Sequence, residues 1–223
     1  MQRFPRVYLS ALRLKRTGHW SRKWIVDTRS DLVIEGYPRS ANSFLLSAVH
    51  LIHGRRLRVA THLHVSSQVE AAVRLGVPTI VMLREPLDAA RSLKALGCQC
   101  NPERLDSFLK RPLWFFLEEY CRFYGRCREF REGFVIAPFD EVIERITPVF
   151  ERVNAEFGPL LEARELTEDE KQRVFEEGGK HLSPSPERER IKDWIDAEVS
   201  ERRTLDWLER ARAVYQDLLK GSA

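Results

Sequence analysis

The chain has 223 residues, 43% hydrophobic and 31% charged, with a net charge of +4. That suits one sizeable α/β domain of a soluble globular protein and requires no second one. No apolar run approaches the ~20 residues of a membrane span, so a cytoplasmic protein without a membrane anchor is expected.

Three parts are expected within this single domain: a basic arm over 1–30, a nucleotide-binding core over 31–158 and a helical part over 159–223. Residues 1–30 hold eight Lys/Arg against one acid, Asp27. That arm suits contact with an acidic membrane surface or an anionic substrate. It has the composition of a transit peptide and reads equally as a solvated arm; no nucleic-acid partner is expected. Leu32 to Ile34 favour a strand over about 31–35. Small and turn-forming residues follow, and then an apolar helix that ends near His53-Gly54. Val59 to His64 reads as a short strand and loop. Ser66-Ser67 caps a helix over about 67–75, closed by Gly76.

Val77 to Leu83 is a continuous apolar run, as in a parallel strand buried on both faces. The next helix starts after Arg84-Glu85-Pro86 and ends by Gly97, and residues 98–111 read as a loop with a short helix. Pro112 opens a long helix over about 112–130, with aromatic residues at three- and four-residue spacing. Phe134 to Ala137 is a further strand, followed by one helix over about 140–157. Thr167 and Glu170 form a capping box for a helix that reaches Gly178-Gly179. His181 to Pro186 is a loop, and two helical segments close the chain. The alternation through residue 157 predicts an α/β fold, a central parallel sheet flanked by helices, with a helical carboxyl-terminal part.

In such sheets ligands gather at the carboxyl ends of the strands. The stretch from Gly36 to Phe44 lies at one of them. Against the phosphate-loop pattern G-x-x-x-x-G-K-[ST], Gly36 and Ser43 fit, but Ala41 replaces the second glycine and Asn42 the lysine. The nearest cation is Arg39. A loop that moves a γ-phosphoryl group needs its lysine and a magnesium-binding hydroxyl to neutralise triphosphate oxygens. Asn42 is uncharged and cannot do so, so a donor of lower charge than a triphosphate, held by one cation without a metal, fits this loop better. Cys98, Cys100, Cys121 and Cys127 suit a reducing compartment, and their spacing is not that of a zinc site.

Pro38-Arg39-Ser40-Ala41-Asn42-Ser43-Phe44 resembles the 5′-phosphosulfate-binding loop of the sulfotransferases, P-K-S-G-T-T-W in the cytosolic branch. Thr61-His62-Leu63 resembles that branch's K-T-H-L element. Leu83 to Leu93 resembles the 3′-phosphate element R-(D/N)-P-x-D-x-x-x-S, with the same interval from Arg84 to Ser92. Phe134 to Val142 resembles a later strand end of the family. The likeness to these PAPS-dependent enzymes, which use 3′-phosphoadenosine 5′-phosphosulfate as donor, spans about residues 32–158 and implies a P-loop-NTPase-like fold.

By that resemblance, Pro38, Arg39, Ser40, Ala41, Asn42 and Ser43 would hold the 5′-phosphate, and Arg39 would stabilise the leaving group. Phe44 would stack on adenine, unless it is a core residue at a helix start. Arg84 and Ser92 would clamp the 3′-phosphate. His62 would be the general base, with Glu35 and His64 as alternatives. In an extended segment His62 and His64 point to opposite sides, so one of them faces the donor. Ala60 departs from the family's lysine, and the family's R-K-G-x-x-G-D-W-K closure is absent. Arg188, Arg190 or Lys192 takes its place at the 3′-phosphate, Arg190 foremost, or else these residues lace a helix surface with salt bridges. The acceptor, a small molecule, lipid or carbohydrate, and the oligomeric state are not encoded in these motifs. An atypical phosphoryl-transfer kinase and a non-catalytic nucleotide-binding module are the competing readings.

Overall fold

The computed structural model describes residues 24–54, 56–100, 111–178 and 186–220, without the side chains of Cys100, Glu177, Glu187 and Arg188. Most of the basic arm (1–23), most of the 98–111 segment, the loop over 181–185 and the Arg188 side chain lie outside the described residues.

Four parallel strands form one sheet: β1 (Leu32–Gly36), β2 (Val59–Thr61), β3 (Thr79–Leu83) and β4 (Val135–Pro138), in the order β2-β1-β3-β4. The chain steps from β1 to β2 in one direction, then returns past β1 to β3 and β4. The crevice between the carboxyl ends of β1 and β3 is therefore a topological switch point, where such sheets bind ligands. Helices α1 (Asn42–His53), α2 (Ser66–Leu75) and α3 (Pro86–Cys100) follow the first three strands. The α/β parallel architecture expected from the sequence is the one observed.

Alternate strand residues supply separate cores on the two faces of the sheet, because successive side chains leave a strand on opposite sides. Ile80 and Met82 of β3 join Leu32, Ile34, Phe44 and Leu45 on one face. Val81 and Leu83 join the other, against helix α4 (Leu113–Cys127) and the last helix, α9 (Arg202–Lys220). In between come α5 (Phe139–Glu144), α6 (Thr147–Phe157), α7 (Glu168–Gly178) and α8 (Pro186–Ile195).

Three boundaries differ from expectation. Helix α3 runs through Gly97 to Cys100, because packing along α4 and α8 outweighs the ~1 kcal/mol that an interior glycine costs. The long aromatic helix stops at Cys127 and continues as a tight 3-10 stretch, Arg128–Gly133. The single helix expected over 140–157 is two. Arg145 is extended, Pro148 opens α6, and the Glu165 carboxylate accepts the N–H groups of Ile146 (3.1 Å) and Thr147 (3.2 Å).

Candidate functional site

The loop after β1 is pinned from both sides. Gly36 lies against Met82 of β3; a Cβ there would stand 2.7 Å from the Met82 carbonyl oxygen. Tyr37 is buried, its hydroxyl donating to the Phe116 carbonyl (2.9 Å). Its backbone N–H donates to the Tyr124 hydroxyl (3.1 Å), which donates in turn to the Met82 carbonyl (2.5 Å). One buried tyrosine of α4 thus ties the loop to the neighbouring strand. Burial pushes that phenol well above its usual range, so it keeps the proton it donates.

Arg39 and Ala41 are left-handed, with φ of 73° and 71°. The position of the pattern's second glycine does demand a positive φ, and Ala41 meets it at a strain of about 1 kcal/mol. Ala41 is also the N-cap of α1, so no side chain caps that helix end. The first helical bond runs from Leu45 N–H to the Ala41 carbonyl (3.0 Å), which leaves the N–H groups of Asn42, Ser43 and Phe44 ahead of the ladder. Such an end suits an anion. Asn42 is buried and its Oδ1 has no hydrogen-bond partner in the structure. Ser40 is fully buried, 3.5 Å from the Tyr124 hydroxyl.

The cations meet at this loop from distant positions. Arg39 Nε donates to Ser92 Oγ at 3.0 Å, across 53 residues. Arg84, at the end of β3, donates from Nη1 to the Arg39 carbonyl (2.9 Å) and stacks 4.0 Å over the Phe139 ring. Burial lowers its pKa, and Asp88, Asp140, Glu85 and Glu189 act in the opposite sense. Arg39 thus bonds both Arg84 and Ser92, the two residues expected from the sequence to clamp a separate 3′-phosphate. Phe44 is placed otherwise. It is 1% exposed and packs against Phe175 of α7, 5.3 Å between ring centres, so its ring is a core element with no face for a base.

Across the crevice stand two histidines. His62 and His64 both have positive φ, 60° and 53°, and their rings lie 5.8 Å apart. They do not point to opposite sides as an extended segment would require, because left-handed backbone turns both toward the loop. His62 Nε2 is 2.9 Å from Ser43 Oγ, and the ring lies 5.7 Å from that of Trp24. Its Nδ1 is buried without a hydrogen-bond partner. Burial, with a smaller contribution from His64, brings its pKa down to about 4. His64 Nδ1 is 2.8 Å from the Gly36 carbonyl oxygen.

Glu35 holds this arrangement from beneath. It is fully buried and accepts from Leu63 N–H (2.9 Å), His64 N–H (3.0 Å) and Gln68 Nε2 (2.8 Å). Burial raises its pKa; His64 and the hydrogen bonds act against that. With its oxygens so engaged, it positions the β2–α2 turn. Gln68 also binds Trp24 and Val26 of the incoming segment. Sequence reading missed Tyr124, Tyr37 and Gln68. The aromatic periodicity flagged α4 as a packing face, and Gln68 gave no signal.

A cleft of 260 Å³ opens beside the loop, lined by Tyr37, Pro38, His64, Leu93, Phe115 and Phe116 among others. On the opposite flank α8 packs along α3. The connection that follows it is strapped down by ion pairs of Arg91 with Asp196 (2.6 Å) and of the buried Lys94 with Glu198. Arg190 is exposed on α8, and Lys192 pairs with Glu189 (2.8 Å). Among the described residues no group of three or more His, Cys, Asp or Glu is placed to hold a metal, and no helix is long and apolar enough to cross a membrane.

No family model matches the chain, and no curated protein matches it. Among solved structures it is similar to the mouse sulfotransferase SULT7A1 complexed with PAP, at 12% identity and a TM-score of 0.44, over 93% of this chain and 92% of that one.

Proposed function

We propose that the chain moves a sulfuryl group from 3′-phosphoadenosine 5′-phosphosulfate to a hydroxyl or amine acceptor. The observation that carries this reading is the meeting of Arg39, Ser92 and Arg84 at the mouth of a phosphate-type loop whose lysine position is Asn42. The loop offers an uncapped helix N-terminus, a buried unpartnered Asn42 oxygen and two cations, which suits a nucleotide with phosphates at two separate places.

The acceptor oxygen or nitrogen attacks sulfur in line as the bond from sulfur to the bridging phosphate oxygen breaks. The 3′,5′-bisphosphate departs, and the acceptor's proton passes to an imidazole of the His62–His64 pair. Arg39 stabilises the charge that develops on the bridging oxygen, while helix and loop dipoles hold the phosphate. Arg190, exposed on α8, is the residue of that helix proposed to reach the 3′-phosphate. The acceptor, a small molecule, lipid or carbohydrate, enters by the cleft, whose walls combine Leu93, Phe115 and Phe116 with Arg111, Glu119 and Arg122.

Calorimetry with the 3′,5′-bisphosphate tests the donor site, with ATP as control and with chelator present. The expected result is bisphosphate binding without magnesium and at least tenfold preference over ATP. Absence of bisphosphate binding would overturn the reading. Binding with no transfer to any of a broad acceptor panel would instead favour a non-catalytic nucleotide-binding module.

A further inference from the structure

The two histidines at the crevice are not equivalent, and their hydrogen bonds differ in what they permit. We propose that His64 is the base that takes the acceptor's proton, and that His62 is a positioning residue that orients Ser43 on the loop. This rests on the sulfuryl-transfer reading and assigns its proton.

A carbonyl oxygen can only accept, so the 2.8 Å contact with Gly36 requires His64 Nδ1 to carry the proton. Neutral His64 therefore has its lone pair on Nε2, the form that abstracts a proton. His64 also lines the cleft next to Tyr37 and Pro38, whereas His62 is not among the residues that bound it. An acceptor lying in that cleft meets His64 first. The backbone of His64 is held by the buried Glu35 at 3.0 Å, and its ring by Gly36, the residue that opens the loop. The base is thus fixed relative to the donor loop through one strand end, as precise proton transfer requires.

His62 is committed elsewhere. One nitrogen faces Ser43 at 2.9 Å and the other is sealed away from solvent. It faces a hydroxyl at the start of α1, not the acceptor cleft. Burial holds its pKa near 4, which leaves it neutral at working pH and a weak proton acceptor. Its ring suits the task of presenting the Ser43 hydroxyl to the donor's 5′-phosphate.

The test uses full-length protein, the bisphosphate as binding probe and the labelled sulfuryl donor with a turned-over acceptor. His64→Asn keeps an amide that can donate to the Gly36 carbonyl and removes the basic nitrogen. It is expected to bind bisphosphate within about twofold of the wild type, with kcat down by a factor on the order of 10²–10⁴. Added imidazole is expected to restore part of the rate, which a purely structural role would not allow. His62→Gln is expected to weaken bisphosphate binding severalfold, with kcat reduced less than tenfold. The reverse pattern, full turnover in His64→Asn or collapse with imidazole rescue in the His62 variant, would overturn the assignment. Nitrogen-15 NMR of the wild type provides a readout independent of both variants. His64 is expected as the Nδ1–H tautomer, and an Nε2–H tautomer would sink the proposal even if transfer is confirmed. Failure of the wild type to bind bisphosphate would overturn the transfer reading itself, by a measurement in which His64 has no part.

Discussion

The two flanks of the crevice are held by different physics. On the β1–β2 flank, one buried carboxylate, Glu35, accepts two backbone N–H groups and one amide, all within 3.0 Å. On the β3 flank, the connection after α8 is held by ion pairs, Arg91 with Asp196 and the buried Lys94 with Glu198, beside the apolar anchor of Ile195. Backbone donors on a carboxylate fix a turn and the side chains that grow from it. Ion pairs between long side chains fasten an element but leave its outward residues loose. His62 and His64 are therefore set in place within the fold, while Arg190 stands exposed on the outer side of α8.

The largest loss is expected from Glu35→Ala. Three donors lose their acceptor in a buried site, and the expected loss is about 4 kcal/mol, less than the sum of three separate penalties because the turn can relax. Urea denaturation reads it directly; a loss under about 1 kcal/mol would mean that water replaces the carboxylate. The corresponding cut on the other flank is Lys94→Ala. Glu198, which also accepts Leu113 N–H at 2.7 Å, then loses its cation, and the expected loss is about 3 kcal/mol. Lys94→Met with Glu198→Leu is expected to recover part of that loss, as apolar replacement of a buried ion pair often does. Less recovery is expected from an apolar replacement of Glu35, because that strands two backbone donors, Leu63 and His64, whereas the loss of Glu198 strands one, Leu113.

How far each flank could be read from sequence follows from the same distinction. Local signals were legible. The loop bounds at Gly36 and Asn42 follow from an apolar run, a glycine and the start of a helical pattern. The capping box forms both bonds, Thr167 N–H to Glu170 (2.9 Å) and Glu170 N–H to Thr167 Oγ1 (3.2 Å). The approach of Arg84 to the loop was legible through the rule that strand ends converge, whereas the bond from Arg39 to Ser92, inside helix α3, was not. What sequence hid was the identity of long-range partners. Tyr124 reaches Tyr37 across 87 residues, and periodicity marks its helix face without saying what a hydroxyl on that face will bind. The left-handed turns at His62 and His64 were hidden too, since nothing near them is a glycine that would advertise a positive φ. Phe44 shows the opposite failure, where a motif position suggested stacking and the apolar core claimed the ring.

The smallest expected effect separates the two buried titratable groups of the β1–β2 flank by sign. His62 ionises near 6.5 when exposed and near 4 in the fold. The unfolded chain therefore binds a proton that the folded chain refuses, so its contribution to stability is full above about pH 6.5 and is lost as pH falls toward 4. Because the ring is only partly buried, the loss is discounted to about 1–2 kcal/mol. Glu35 runs the other way. Its pKa is raised by burial, so its contribution is present below about 4.5 and is lost as pH rises through its folded value. Urea midpoints at pH 7.0, 5.5 and 4.5 are expected to fall less steeply with acid in His62→Gln than in the wild type, and more steeply in Glu35→Gln. Parallel curves for wild type and His62→Gln would show that the His62 ring is solvated and protonates freely. The tight Ser43–His62 contact would then not describe the protein in solution.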